Sequence, residues 1–292
     1  MQQTVARPQM ITVESIRTNR TIAQRPAEHV IHETDEEIVD RLRTRFTILD
    51  DMTRAVKRGD VRAMIVSGPP GVGKSFGVEK VLSRYDLFAE VAQDEELKQY
   101  TIAKGNISAL CLYQMLWKYR DPKSIVVFDD CDSVLFDDIA LNLLKAALDT
   151  GRKRTISWHT ESRVLKDEGI PNSFDFEGGC IFITNVKFDH VRSKKLQDHL
   201  EALESRCHYL DLTIDTEREK ILRIKQIIGD GMLDKYDFQN DEQQEIIDYI
   251  DTHRKKMREL SLRMVLKVAD LRKAMPNTWE SVASVTCMRP QR

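Results

Sequence analysis

The sequence predicts an α/β protein, a parallel sheet with a Gly-rich loop after its first strand, followed by a smaller all-helical domain. Three observations carry this. Short runs at 64–67, 100–103, 125–128, 180–184 and 209–212 are largely apolar from end to end and alternate with helical patterns, as strands covered on both faces require. The segment Gly68-Pro-Pro-Gly-Val-Gly-Lys-Ser75 lies between the first of these runs and a helical pattern. After residue 212 the strand-like runs stop, and helical periodicity takes over at 216–229, 242–257, 261–274 and 278–286.

The elements follow in order. Residues 1–34 mix polar, Pro and β-branched residues without periodicity and read as an extended arm. Thr34-Asp35-Glu36-Glu37 then opens a helix, with a capping residue and acids at its positive end. Ile38, Leu42, Phe46 and Ile48-Leu49 supply its apolar stripe, and Gly59-Asp60 ends it near Arg58. Strand and helix then alternate, with helices at 73–84, 107–118 and 139–148. The expected division is an arm at 1–34, an α/β domain at 35–212, a helical lid at 213–276, and a C-terminal helix and tail at 277–292.

Composition bounds the function. The 292 residues are 41% apolar and 32% charged, with a net charge of −2, so no whole-molecule field draws the chain onto nucleic acid. Any DNA contact has to come from a local basic patch. No run approaches the roughly 18–20 apolar residues that span a bilayer, and the N-terminus lacks a signal-peptide pattern. Cys111, Cys131, Cys180, Cys207 and Cys287 are odd in number and widely spaced. They form no metal-ligand pattern and read as reduced core thiols of a cytoplasmic protein.

Residues Gly68, Pro69, Pro70, Gly71, Val72, Gly73, Lys74 and Ser75 fit the pattern Gly-x-x-x-x-Gly-Lys-Ser/Thr. Its glycines let backbone N–H groups curl around phosphate oxygens, and the following helix aims its positive end at them. Lys74 is expected on the β- and γ-phosphates of ATP, Ser75 on Mg²⁺, and Phe76 continues the nucleotide-binding stretch. The strand at 125–128 ends in Asp129-Asp130. A carboxylate at the carboxyl end of a neighbouring strand can hold Mg²⁺ beside the loop, the role expected of Asp129. Asp130 would face the γ-phosphate and polarise a water. Asn185 ends another strand, where an amide can bond both that phosphate and the water.

With these elements in order, the chain resembles an AAA+ ATPase over about residues 40–275. The resemblance makes Asn185 the sensor-1 position. Leu203-Glu-Ser-Arg-Cys207 resembles the Ser-Arg-Cys element of clamp-loader subunits, which makes Arg206 the arginine finger. Arg263, in Glu259-Leu-Ser-Leu-Arg-Met264, matches the sensor-2 arginine. A finger acts on the γ-phosphate of a neighbouring subunit, so the resemblance implies a ring or spiral homo-oligomer, a hexamer in the family's usual form. It implies an ATP hydrolase of the compact phage and replication type, working on DNA or a DNA-bound protein complex. A MoxR-like protein remodeller and an ATP-gated assembly scaffold are the other readings. Asp130 departs from the usual Glu; the retracted carboxylate predicts either slower hydrolysis or a slightly different placement of the water in an active ATPase. No Asn-Lys-x-Asp guanine-reading motif occurs.

Weaker features remain. Arg152, Lys153 and Arg154, with Trp158 nearby, read either as a phosphate-contacting patch with a stacking ring or as a solvated turn over a packed Trp. Lys104-Gly105-Asn106 stands where the family places a pore loop but lacks the aromatic pattern of protein translocases. Arg192-Ser-Lys-Lys195 reads as a charged helix start, and the basic run from Arg254 to Arg258 as a solvated helix face.

Overall fold

The structure is a computed structural model and describes residues 33–92, 97–186 and 194–290. The expected N-terminal arm, apart from its last two residues, lies outside them, as does Arg192. In chain order the elements are α1 (Asp35–Arg58), β1 (Ala63–Ser67), α2 (Lys74–Ser83), α3 (Leu87–Ala92), β2 (Tyr100–Lys104), α4 (Ala109–Lys118) and β3 (Ile125–Asp129). Then come α5 (Asp132–Phe136), α6 (Asp138–Ala147), β4 (Thr155–Ser157), α7 (Arg163–Asp167), β5 (Ser173–Asp175), β6 (Gly179–Thr184), α8 (Lys194–Glu204) and β7 (His208–Asp211). The helical end comprises α9 (Glu217–Ile227), a π turn at Ile228–Met232, a 3₁₀ turn at Asp234–Tyr236, α10 (Asn240–His253), α11 (Leu262–Ala274) and α12 (Trp279–Thr286).

The fold is the expected α/β class. Five parallel strands run in the order β2-β3-β6-β1-β7. β1, β3 and β6 are buried at every residue because alternate side chains enter two cores. Met64, Val66, Ile125, Val127, Ile181 and Ile183 meet Leu49 and Val56 of α1 and Val78 and Leu82 of α2. Ile65, Val126, Phe128 and Phe182 meet α4, α5, α6 and α8 on the other face. A third core belongs to the helical end, where Ile224, Ile246, Ile250, Val265 and Val268 pack together. A five-stranded parallel sheet with a Gly-rich turn after β1, followed by a helical end, is the α/β class expected from the sequence.

Several expectations need correction. The outer strands are not buried on both faces, since β2 is half-buried and β7 largely exposed, because each is a sheet edge. Ile48 is exposed; at 3.6 residues per turn it falls beside the stripe of Ile38, Leu42 and Leu49. Cys111 is exposed on α4 rather than in the core. The helix expected to reach residue 257 ends at His253. Short α3, α5 and α7 were missed, each too brief to show a period. Arg152–Arg154 lead into a two-stranded antiparallel sheet, β4 with β5. Trp158 is half-buried and packs against the core with its ring 5.6 Å from that of Tyr113, which favours the packed-Trp reading.

Candidate functional site

In a parallel sheet the carboxyl ends of β1, β3 and β6 open on the same edge, so the chain segments leaving them converge. The turn after β1 depends on glycine. Gly71 and Gly73 have φ of 73° and 104°. A Cβ on Gly71 would lie 2.6 Å from the Ser261 Cβ. Ser261 caps α11 by accepting from the Met264 N–H at 3.2 Å, and the Leu262 N–H donates to the Gly71 carbonyl at 2.8 Å. The first turn of α11 is therefore seated directly on the loop.

Lys74 is buried, 5% exposed, and donates to the carbonyls of Gly68 and Pro69 at 2.7 and 2.9 Å and to Asn185 Oδ1 at 2.8 Å. Burial lowers its pKa to about 8 against the opposing pull of Asp130 and Asp129. Asn185 Nδ2 donates in turn to Asp130 Oδ1 at 2.7 Å. Ser75 Oγ donates to Asp129 Oδ1 at 2.7 Å. Burial, then the neighbouring Asp129, raises the pKa of Asp130. Asp130 holds a left-handed backbone, φ 52°, uncommon for a non-glycine residue and a local strain.

A cavity of about 550 Å³ lies above this network, lined by Pro70, Gly71, Gly73, Lys74, Ser75 and Phe76 of the loop, Asp130, Asn185 and Arg263. Phe76 is 71% exposed toward it. The structure thus brings together most of the expected site. Gly68 and Pro69 stand back, serving Lys74 through their carbonyls, and Val72 points into a small core with Ile38, Leu42 and Ile214. Arg206 is not in this cavity. Its guanidinium folds back onto the end of α8, Nη1 donating to the Ala202 carbonyl, while Nε is buried with no hydrogen-bond partner among the described residues.

Two sets of residues were missed. Lys104 Nζ lies 3.5 Å from Asp129 Oδ2, since register pairs Lys104 with Asp129 across β2 and β3. The second is the cavity's outer wall of Ile227, Asp230, Gly231, Met232 and Lys235. The closely spaced Gly229 and Gly231 signalled the break in the helix, and Gly231, φ 94°, turns the chain there.

No family model matches the chain. It is 35% identical over 257 residues to the uncharacterized 36.7 kDa protein of the nrdC-mobD intergenic region of Enterobacteria phage T4, covering 87% of this chain and 77% of that protein. Among solved structures it is similar to domain III of the Thermotoga maritima replication initiation protein DnaA, at a TM-score of 0.46 and 11% identity over 84% of this chain and 92% of that one. It is also similar to S. cerevisiae Hsp104 in its casein complex, at 0.42 and 12% over 85% and 41% of the two chains. Drosophila ORC bound to DNA gives 0.40 and 14% over 97% and 68%.

Proposed function

This chain belongs to the family of the phage T4 36.7 kDa protein, and we propose that it binds and hydrolyses ATP in a site shared between copies of itself, driving work on DNA or a DNA-bound protein complex. The observation that carries the reading is the convergence of Lys74, Ser75, Asp130, Asn185 and Arg263 on one cavity at the carboxyl edge of a parallel sheet, with the buried Asp129 bonded to Ser75 behind it.

On this reading the N–H groups of the 71–75 turn and Lys74 receive the phosphates, with Arg263 closing from the lid. Asp130 and Asn185 orient the attacking water. Phosphoryl transfer needs mainly positioning and charge stabilisation, which such a cradle supplies. The Ser75 hydroxyl and Asp129 carboxylate are hard oxygen donors 2.7 Å apart. They suit magnesium, which takes one or two carboxylates together with substrate phosphates. Bound there, the ion would neutralise charge on the β- and γ-phosphates. Arg206 is the candidate finger for the next copy's γ-phosphate. It must turn outward from its own helix to act, which ties its use to assembly.

Mixing Lys74→Ala and Arg206→Ala chains tests the shared site. Each variant alone should be nearly inactive, and mixtures should recover part of the wild-type turnover because some junctions then hold an intact loop beside an intact finger. Mixtures no more active than the sum of their parts would exclude a finger acting between copies.

The scaffold reading, with ATP governing assembly and turnover slow, has one observation in its favour. Asp130, a residue shorter than the usual acid, is engaged by Asn185 while Asn185 is engaged by Lys74. ATP-dependent assembly without phosphate release would favour it.

A further inference from the structure

At the opposite edge of the sheet, where β1, β3 and β6 begin, a second cleft of about 510 Å³ opens. Among the described residues, Arg58, Arg62, Lys123, Arg152, Lys153 and Arg154 line it, against two acids, Asp175 and Glu177. The whole chain carries a net charge of −2, so this concentration of cations departs from its average surface. Two are already paired, Lys153 with Asp175 at 2.9 Å and Arg58 with Asp60 at 2.7 Å. Arg62, Lys123, Arg152 and Arg154 make no ion pair among the described residues.

The two central guanidinium groups are held in place. Arg62 Nη1 donates to the Asp149 carbonyl at 2.5 Å, and Arg154 Nη1 donates to the Ala147 carbonyl at 3.0 Å. Both bonds serve the carboxyl end of α6, an ordinary capping role for a cation. Capping uses one N–H of each fork, and a guanidinium carries five. Arg154 also lies over the Phe176 ring at 5.1 Å. Its burial depresses its pKa, and the charge of Arg62 adds to that effect. Two like charges fixed near each other favour an incoming anion.

We propose that this cleft seats the phosphodiester backbone of a nucleic-acid duplex, without reading its bases. The cations come from three separate chain segments, at 58–62, 123 and 152–154, around an open cleft, which suits successive phosphates along a strand. Single-strand binders add aromatic faces on which bases stack. Among the described residues the one aromatic side chain lining this cleft, Phe176, is 1% exposed beneath Arg154. The site deepens the reading of a machine acting on DNA and rests on it for its use, while the contact itself needs no nucleotide.

The test is the anisotropy of short labelled duplexes of two unrelated sequences, a labelled single strand, and pyrophosphate as competitor, using the full chain without ATP. At about 50 mM salt, both duplexes should bind alike and more tightly than the single strand, with affinity falling steeply as salt rises. Arg152→Ala should weaken binding and lower the slope of log K against log salt by about 0.9. Adding Lys123→Asn, an exchange that tolerates the left-handed φ of 68°, should bring the loss to about 2. A fluorescent ATP analogue should bind these variants as it binds wild type, showing that they fold and separating this claim from the ATP claim. Absence of duplex binding, a slope unchanged in both variants, tighter single-strand binding through the same residues, or a site that takes only pyrophosphate would each overturn the proposal.

Discussion

Lys74 ties the chemistry of the candidate site to pH. Its ammonium is buried among two carbonyls and the Asn185 amide oxygen, and burial brings its pKa to about 8. Phosphate oxygens arriving beside it favour the charged form and raise the pKa again. Binding ATP therefore takes up a proton wherever free Lys74 is neutral. Affinity should hold steady below about pH 8 and fall as pH rises through it, by up to tenfold per pH unit. Fluorescent-ATP titrations across that range check the sign; an affinity that rises with pH would remove Lys74 from phosphate binding. The residue scale also shows what was legible. Lys74, Ser75, Asp129, Asp130 and Asn185 stood out because each ends a strand or follows a Gly-rich turn, and parallel register gathers such positions. Lys104 was hidden because its nearness to Asp129 depends on which strand neighbours β3, a fact that no local pattern carries.

At the scale of elements, α9 is stapled to α1. Arg41 of α1 pairs with Glu219 of α9 at 2.8 Å, Arg218 of α9 with Asp35 of α1 at 2.5 Å, and Arg45 donates to the Thr213 carbonyl at 3.1 Å. Glu219 also completes a capping box with Thr216. Its partial burial alone would raise its pKa, but the Thr216 N–H and the Arg41 guanidinium outweigh that and bring it to about 2. A depressed carboxylate contributes stability that is present above its unfolded value, about 4.5, and is lost as pH falls toward 2. The contribution is on the order of 2–3 kcal/mol. Glu219→Gln should therefore lower the melting temperature near neutral pH and flatten its decline between about pH 4.5 and 2. A variant that follows the wild-type curve throughout would show that the staple bears no stability. The helices of this end were readable from periodicity, though α10 ends at His253 rather than 257, whereas the wall from Ile227 to Lys235 was not. Its placement comes from α11 seating on Gly71, a contact between segments far apart in sequence.

Over the whole molecule, the two edges of one sheet carry different surfaces. The carboxyl edge gathers acids, an amide and a buried lysine beside α11, and the amino edge gathers cations. Arg206 lines neither cavity. Among the described residues no helix is long and apolar enough to cross a membrane. The central claim is that the carboxyl-edge cavity hydrolyses ATP, and it can be tested with one pair of proteins. Steady-state phosphate release should be measured for wild type and Asp130→Asn with magnesium present, alongside fluorescent-ATP affinity for both. Wild type should turn over, and the variant should lose about 100-fold or more of the rate while binding the nucleotide about as tightly. Equal turnover in the two proteins, or a wild type that binds ATP and releases no phosphate, would contradict the account.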